Sequence, residues 1–197
     1  MRKAYTTASS FVIPAGDIVK GDISILFASV AHASIVDKHS DLLDDFQSRW
    51  QNRNALTAAT QKKLLVLGST LLRRLHAELL SPGSSEGDGK KQQHQAHSPT
   101  MEEVCRVYRV VYMCIDPAVV DDNNLTTIVF DATRVLGVLA PHLTMTCPKE
   151  LLTNIAQSFH RLLSADHTVW PLRTHAVSSF VQFVSKLPGP HMSMFQH

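Results

Sequence analysis

An all-α fold is predicted by three observations. Apolar residues recur at three- and four-residue spacing through most of the chain, Gly, Pro and capping residues punctuate the stretches between, and strand-like alternation is not expected beyond residues 1–21. The pattern is plainest over residues 148–187, which read as a helical hairpin. Its first helix carries Leu151, Leu152, Ile155, Phe159, Leu162 and Leu163 on one face, and its second carries Leu172, Ala176, Phe180, Phe183, Val184 and Leu187. Each helix thus has one stripe to bury, and Ala176 stands where two helices must approach closely. A start near residue 100 and another near 148 lie one repeat period apart, which is the pattern of helical units that stack on like neighbours. The predicted architecture is a HEAT/ARM-like α-solenoid of about seven helices.

Residues 1–21 read as an irregular N-terminal segment, and residues 22–80 as a first helical block. Gly21 breaks the chain, and Asp22 can cap a helix over 22–36 with Ile25, Leu26, Val30 and Ala33. The next helix, 40–53, has Leu42, Leu43, Phe46 and Trp50 as its stripe, with Asp41, Asp44 and Asp45 toward the end where the helix dipole favours them. A longer helix over 57–80 turns Leu64, Leu67, Leu71, Leu72, Leu75 and Leu79 inward and Lys62, Lys63, Arg73 and Arg74 outward.

Residues 81–99, SPGSSEGDGKKQQHQAHSP, contain no branched aliphatic and no aromatic side chain. Such a stretch buries too little to offset its ordering entropy, so it reads as a flexible insertion. A second block spans 100–187. Thr100 and Glu103 form a capping box for a helix over 101–115 with Val104, Val107, Tyr108, Val111, Tyr112 and Ile115 inward. Asn124 caps the next, over 124–139, which buries Leu125, Ile128, Val129, Ala132, Val135, Leu136 and Leu139 and stops at Pro141. Helices over 148–164 and 169–187 follow, the former with Pro148 in its first turn and Glu150 near the dipole's positive end. Residues 188–197 read as a tail.

Composition narrows the functional classes. A chain of 197 residues, 44% of them hydrophobic, can bury a sizeable core, so disorder is confined to local stretches. The formal charge of +2 leaves no large electrostatic footprint for nucleic acid or anionic lipid. No apolar run approaches the roughly 20 residues that span a bilayer, and Phe11–Pro14 is too short for a signal-peptide core. Three unclustered cysteines, Cys105, Cys114 and Cys147, fit a reducing compartment, nuclear or cytoplasmic. The last helix is not especially polar, as a terminal capping unit would be, so the chain is expected to be a piece of a longer solenoid.

Reactive groups are sparse. His94 and His97 lie in the low-complexity stretch with no Cys or carboxylate to complete a tetrahedral set, and His160, His167 and His175 straddle the last hairpin in surface or packing positions. No metal or cofactor is therefore expected. Cys105 and Cys114 fall on different faces of one helix. Cys147, just before a helix, could have a lowered thiol pKa and use His142 as base, which makes a hydrolase the weakest of three readings. Phosphate-binding GxxxxGK, GxSxG and HExxH motifs are absent from the sequence. Lys62–Lys63, Arg73–Arg74 and Lys90–Lys91, with Arg106 and Arg109, supply the rival of direct nucleic-acid binding by a basic face, though aromatic residues do not interleave them. Asp166 and Arg173 are expected to pair across the final turn, Trp170 to plug the core, and Phe159 to meet Phe180. Val177, Val181 and Val184 are expected to form the partner-binding face, because an open solenoid exposes apolar area at its end.

The runs TTIVFDATRVLGVLAP (126–141) and PKELLTNIAQSFHRLLSADHTVWPLRTHAVSSFVQFVSKLP (148–188) resemble the C-terminal helical region of the fidgetin-like-interacting regulator of recombination and mitosis family. The likeness rests on Leu162–Leu163, Asp166, Trp170, His175–Ala176 and the Phe180 to Phe183 spacing, with Ile115–Asp116–Pro117 as a further correspondence. The resemblance implies a non-enzymatic nuclear adaptor that binds a fidgetin-like AAA ATPase in homologous recombination and DNA crosslink repair. Family members are far longer solenoids, and no family functional residue maps onto this chain.

Replacing residues 81–99 by a Gly/Ser linker of similar length should leave the thermal midpoint nearly unchanged. A calorimetric scan showing a drop of several degrees would mean that the stretch docks on the fold.

Overall fold

The computed structural model describes residues 40–80, 99–116, 119, 122–164 and 170–195. Six α-helices and no strand occur among them: α1 Ser40–Gln51, α2 Ala58–Leu80, α3 Met101–Cys114, α4 Thr126–Val138, α5 Lys149–Ser164 and α6 Trp170–Ser185. The helix expected over 22–36, the insertion up to residue 98 and Asp166 lie outside the described residues. None of the described helices is long and apolar enough to cross a membrane.

Helix ends follow from local donors and acceptors. The Thr57 hydroxyl accepts from the Thr60 N–H at the start of α2. At α3 the capping box forms as expected, with the Thr100 hydroxyl accepting from the Glu103 N–H and the Glu103 carboxylate accepting from the Thr100 N–H. Ahead of α4 the cap is Asp122 rather than Asn124. Its carboxylate accepts the Asn124 N–H at 2.9 Å and holds a 3-10 turn, Asn123–Leu125, so the α-helix begins at Thr126. A second such turn, Ala140–His142, contains Pro141 and ends the helix. There the buried His142 ring donates from Nε2 to the Leu79 carbonyl at 2.9 Å, satisfying one of the orphan acceptors at the end of α2.

Two rows of helices result. α4 lies between α2 and α6, while α1 lies against α3 and α5 against α6. α2, α4 and α6 run in the same direction, and so do α3 and α5. Gly68 faces Ile128 and, further along both helices, Arg73 reaches Asp131; Phe130 meets His175 and, further along, Gly137 meets Ser179. In the other row Tyr108 reaches Ser158 and Tyr112 reaches Arg161. The Ser158 hydroxyl donates to the Asn154 carbonyl at 2.9 Å, so it accepts from Tyr108 at 3.0 Å, and burial pushes the phenol up to about 12.

α4 departs from the one-stripe expectation. Asp131, Thr133, Gly137 and Val138 are buried along with the predicted Ile128, Val129, Ala132, Val135 and Leu136, leaving Thr127 and Arg134 exposed. A helix buried nearly all round needs neighbours on both flanks, and two glycines let them approach. A Cβ at Gly68 would stand 2.6 Å from Ile128 Cδ1 and 2.8 Å from Phe46 Cζ, and one at Gly137 would stand 3.0 Å from the Ser179 backbone oxygen. The second contact rotates α6 from its expected face. Ser179 points inward with Leu172, Ala176 and Phe183, whereas Phe180 and Val184 are half-buried.

The buried tryptophan is Trp50, 1% exposed, whose indole donates to the Met113 carbonyl and whose ring stacks on Phe46. At the other end Phe159 meets Phe180 at 5.2 Å and Phe183 at 5.4 Å between ring centroids. Residues Gly189–Phe195, read as tail, form a 3-10 helix that brings Phe195 to 5.5 Å from Phe183 and His191 Nε2 to 2.9 Å from the Thr144 carbonyl.

Because Phe183 is fully buried and Phe180 only partly, Phe183→Ala should cost about 3 to 5 kcal/mol and Phe180→Ala roughly half as much. Urea denaturation of the two variants checks the order; an equal or reversed ranking would contradict this account of the ring cluster.

Candidate functional site

Two surfaces of the row formed by α2, α4 and α6 carry what chemistry the described residues offer. The first is the outer side of α6. Its inward positions are set by Leu172, Ala176, Ser179 and Phe183, so Trp170, Thr174, Val177 and Val181 fall opposite them. Trp170 is 74% exposed, Val177 47% and Val181 60%, while the half-buried Val184 packs against the core. The tryptophan is therefore not a core plug. Its place as the first residue of the helix, ahead of Pro171, puts the indole on the solvent side. Arg173 is half-buried, and its expected partner Asp166 lies outside the described residues.

The second surface crosses α2, α4 and α6. Arg73 was expected outward and is exposed, but its Nε donates to both oxygens of the buried Asp131 carboxylate, at 3.1 and 3.0 Å. Arg134 stands on the exposed ridge of α4, and its charge acts on His76 of α2 and His175 of α6. Both imidazoles are held below their ordinary value, first by burial and next by Arg134, with Asp131 opposing. The His175 ring packs on Phe130 at 5.2 Å between centroids and hydrogen-bonds the Phe130 backbone. Its Nε2 is shielded from solvent and has no hydrogen-bond partner among the described residues. Sequence periodicity missed this cluster because its members belong to three separate helices. The signal available was Asp131, a carboxylate in the most apolar of the described helices.

The remaining candidates are occupied by structure. Burial raises the Cys147 thiol to about 11, the reverse of the lowering considered for a residue preceding a helix, and its would-be base His142 is bound to Leu79. Burial also raises Cys114. A thiol so protonated at neutral pH is a poor nucleophile. Arg106 pairs with Glu102 at 2.7 Å and Arg74 lies 3.9 Å from Glu78, while Arg161 donates to the Tyr112 hydroxyl and stands over its ring at 5.7 Å. Lys90 and Lys91 lie outside the described residues, as do His94, His97 and His167. His160 sits 3.4 Å from the Ser164 hydroxyl on the surface. Among the described residues no group of three His, Cys, Asp or Glu side chains could hold a metal ion.

Comparison with family models, with curated proteins and with solved structures finds no match.

The two lowered histidines make stability depend on pH in a stated direction. In the unfolded chain both titrate near about 6.5, and in the folded protein they titrate lower, so as pH falls below that value the unfolded state binds protons first and stability is lost. The thermal midpoint should therefore fall between about pH 7 and about pH 5.5. The double variant His76→Gln/His175→Gln should flatten that part of the profile; an unchanged slope would show that other groups control it.

Proposed function

We propose that this chain is a non-enzymatic helical-repeat adaptor of the HEAT/ARM-like kind, which binds a protein partner through the outer face of α6. The observation that carries the reading is the stripe formed by Trp170, Val177 and Val181, three large apolar residues left in solvent on one face of the last long helix. Exposed apolar residues gathered on one face mark an interaction surface more often than residues scattered singly do. Support for the repeat comes from the two rows. α2, α4 and α6 run parallel, as do α3 and α5; α3 pairs with α4 and α5 with α6, and a further hairpin would sit on α6 as α6 sits on α4. The occupied state of Cys147 and His142 speaks against hydrolysis by that pair.

Following the sequence resemblance, the proposed partner is a fidgetin-like AAA ATPase, and the proposed setting is homologous recombination and DNA crosslink repair in the nucleus. Direct nucleic-acid binding is the lesser reading, because Arg73, Arg74 and Arg106 each stand beside an acidic side chain of the chain itself. Phosphate contacts would also have to be several to give useful affinity.

Val177→Asp/Val181→Asp should abolish capture of the purified ATPase while leaving the circular-dichroism helix signal unchanged, since both side chains project into solvent. If capture survives in the double variant, or depends steeply on salt and vanishes only with Arg73 and Arg74 neutralised, this face is not the docking surface.

A further inference from the structure

The α6 stripe leaves the surface across α2, α4 and α6 unused, and that surface has a charge pattern of its own. Arg73 holds both oxygens of Asp131 with its single Nε, so among the described residues the outer nitrogens of its exposed guanidinium have no acceptor. Arg134 lies beyond it on α4, exposed and without an ion pair among the described residues, and its field reaches helices on both sides. Asp131, the acidic group acting on this cluster, is buried and already held by Arg73. The level is therefore cationic. Val66 and Leu80, both large and exposed, lie on the same side of α2 as Arg73, one toward each end of the helix.

We propose that the row of α2, α4 and α6 binds an acidic peptide segment, with Arg73 and Arg134 taking its carboxylates and Val66 and Leu80 receiving its apolar residues. Guanidinium groups suit planar carboxylates because their donors form a rigid fork. The apolar flanks decide between an acidic peptide and a phosphate backbone. A nucleic acid would find two cations at the Arg73–Arg134 level and further exposed ones on α2 only at Lys62 and Lys63, about three helical turns away, and among the described residues of α2 and α4 no exposed aromatic ring on which a base could stack. A peptide uses both the charge and the valine and leucine beside it. The inference rests on the adaptor reading, yet it concerns a different face, so each can fail alone.

The test is selection of short random peptides, displayed on phage, against the full chain. Selected sequences should be enriched in Asp and Glu next to Leu, Ile or Phe, and synthetic versions should lose about ten-fold or more in affinity for Arg134→Glu. Arg134 is exposed and has no ion pair among the described residues, so that variant is expected to fold, and a thermal midpoint close to wild type verifies it. Val181→Asp, on the other face, should select the same peptides. Selection without acidic enrichment, binding indifferent to Arg134→Glu, or tighter Arg134-dependent binding of a single-stranded oligonucleotide than of the peptides would each overturn the proposal. Absence of acidic enrichment, with ATPase capture abolished by Val177→Asp/Val181→Asp as expected, sinks this inference alone, whereas capture that survives Val177→Asp/Val181→Asp with the enrichment present sinks only the α6 reading.

Discussion

Burial of α4 on nearly every side is the constraint from which the other placements follow. A helix thirteen residues long with nine of them out of solvent cannot be covered by one partner. It needs α2 on one flank, α6 on the other and α3 beneath. Close approach on both flanks is possible because the side chain is absent at the points of crossing, Gly68 on α2 and Gly137 on α4 itself. Interiors packed to crystal-like density have no slack for an extra methyl group at such points. The glycines therefore work as spacers, and the helical propensity that they forgo is about 1 kcal/mol each.

A buried carboxylate in this helix then has a direct explanation. Asp131 faces α2, where bulk water is excluded, and it stays hydrogen-bonded because Arg73 can reach it from the rim. Burying a charge is costly unless it is paired, so the ion pair pins the lateral position of α2 against α4 more than it adds net stability. The same crowding places two imidazoles beside Arg134 and disfavours their protonation. One packing decision thus sets both the geometry of the row and its electrostatics.

Much of the fold was legible in the sequence. Six helices appear close to where spacing and capping residues place them, because amphipathic periodicity and Thr100–Glu103 chemistry are local. What stayed hidden depends on residues brought together from afar. The inward turn of Ser179 goes with a glycine on another helix, and the exposure of Trp170 goes with its place at the first position of α6. Trp50 is the indole in the core, its N–H satisfied by the distant Met113 carbonyl. Val177 and Val181 are exposed on α6 whereas Val184 packs inward, and the arginine–histidine cluster left Asp131, a carboxylate in an apolar helix, as its one local sign. Periodicity reports which face of a helix is apolar and is silent about polar groups that converge from three helices.

The contact between His142 and Leu79 ties the end of α2 to the turn after α4. On the other side of the 81–98 stretch, the start of α3 is closed by its own capping box and touched at Met101 by Thr144. Both ends of that connection are thus anchored to the same short loop. Among the described residues, the two halves of the molecule meet through packed helix surfaces, α2 on α4 and α1 on α3. That makes the protein a natural candidate for assembly from two separate fragments, because each fragment carries its own share of the surfaces that meet.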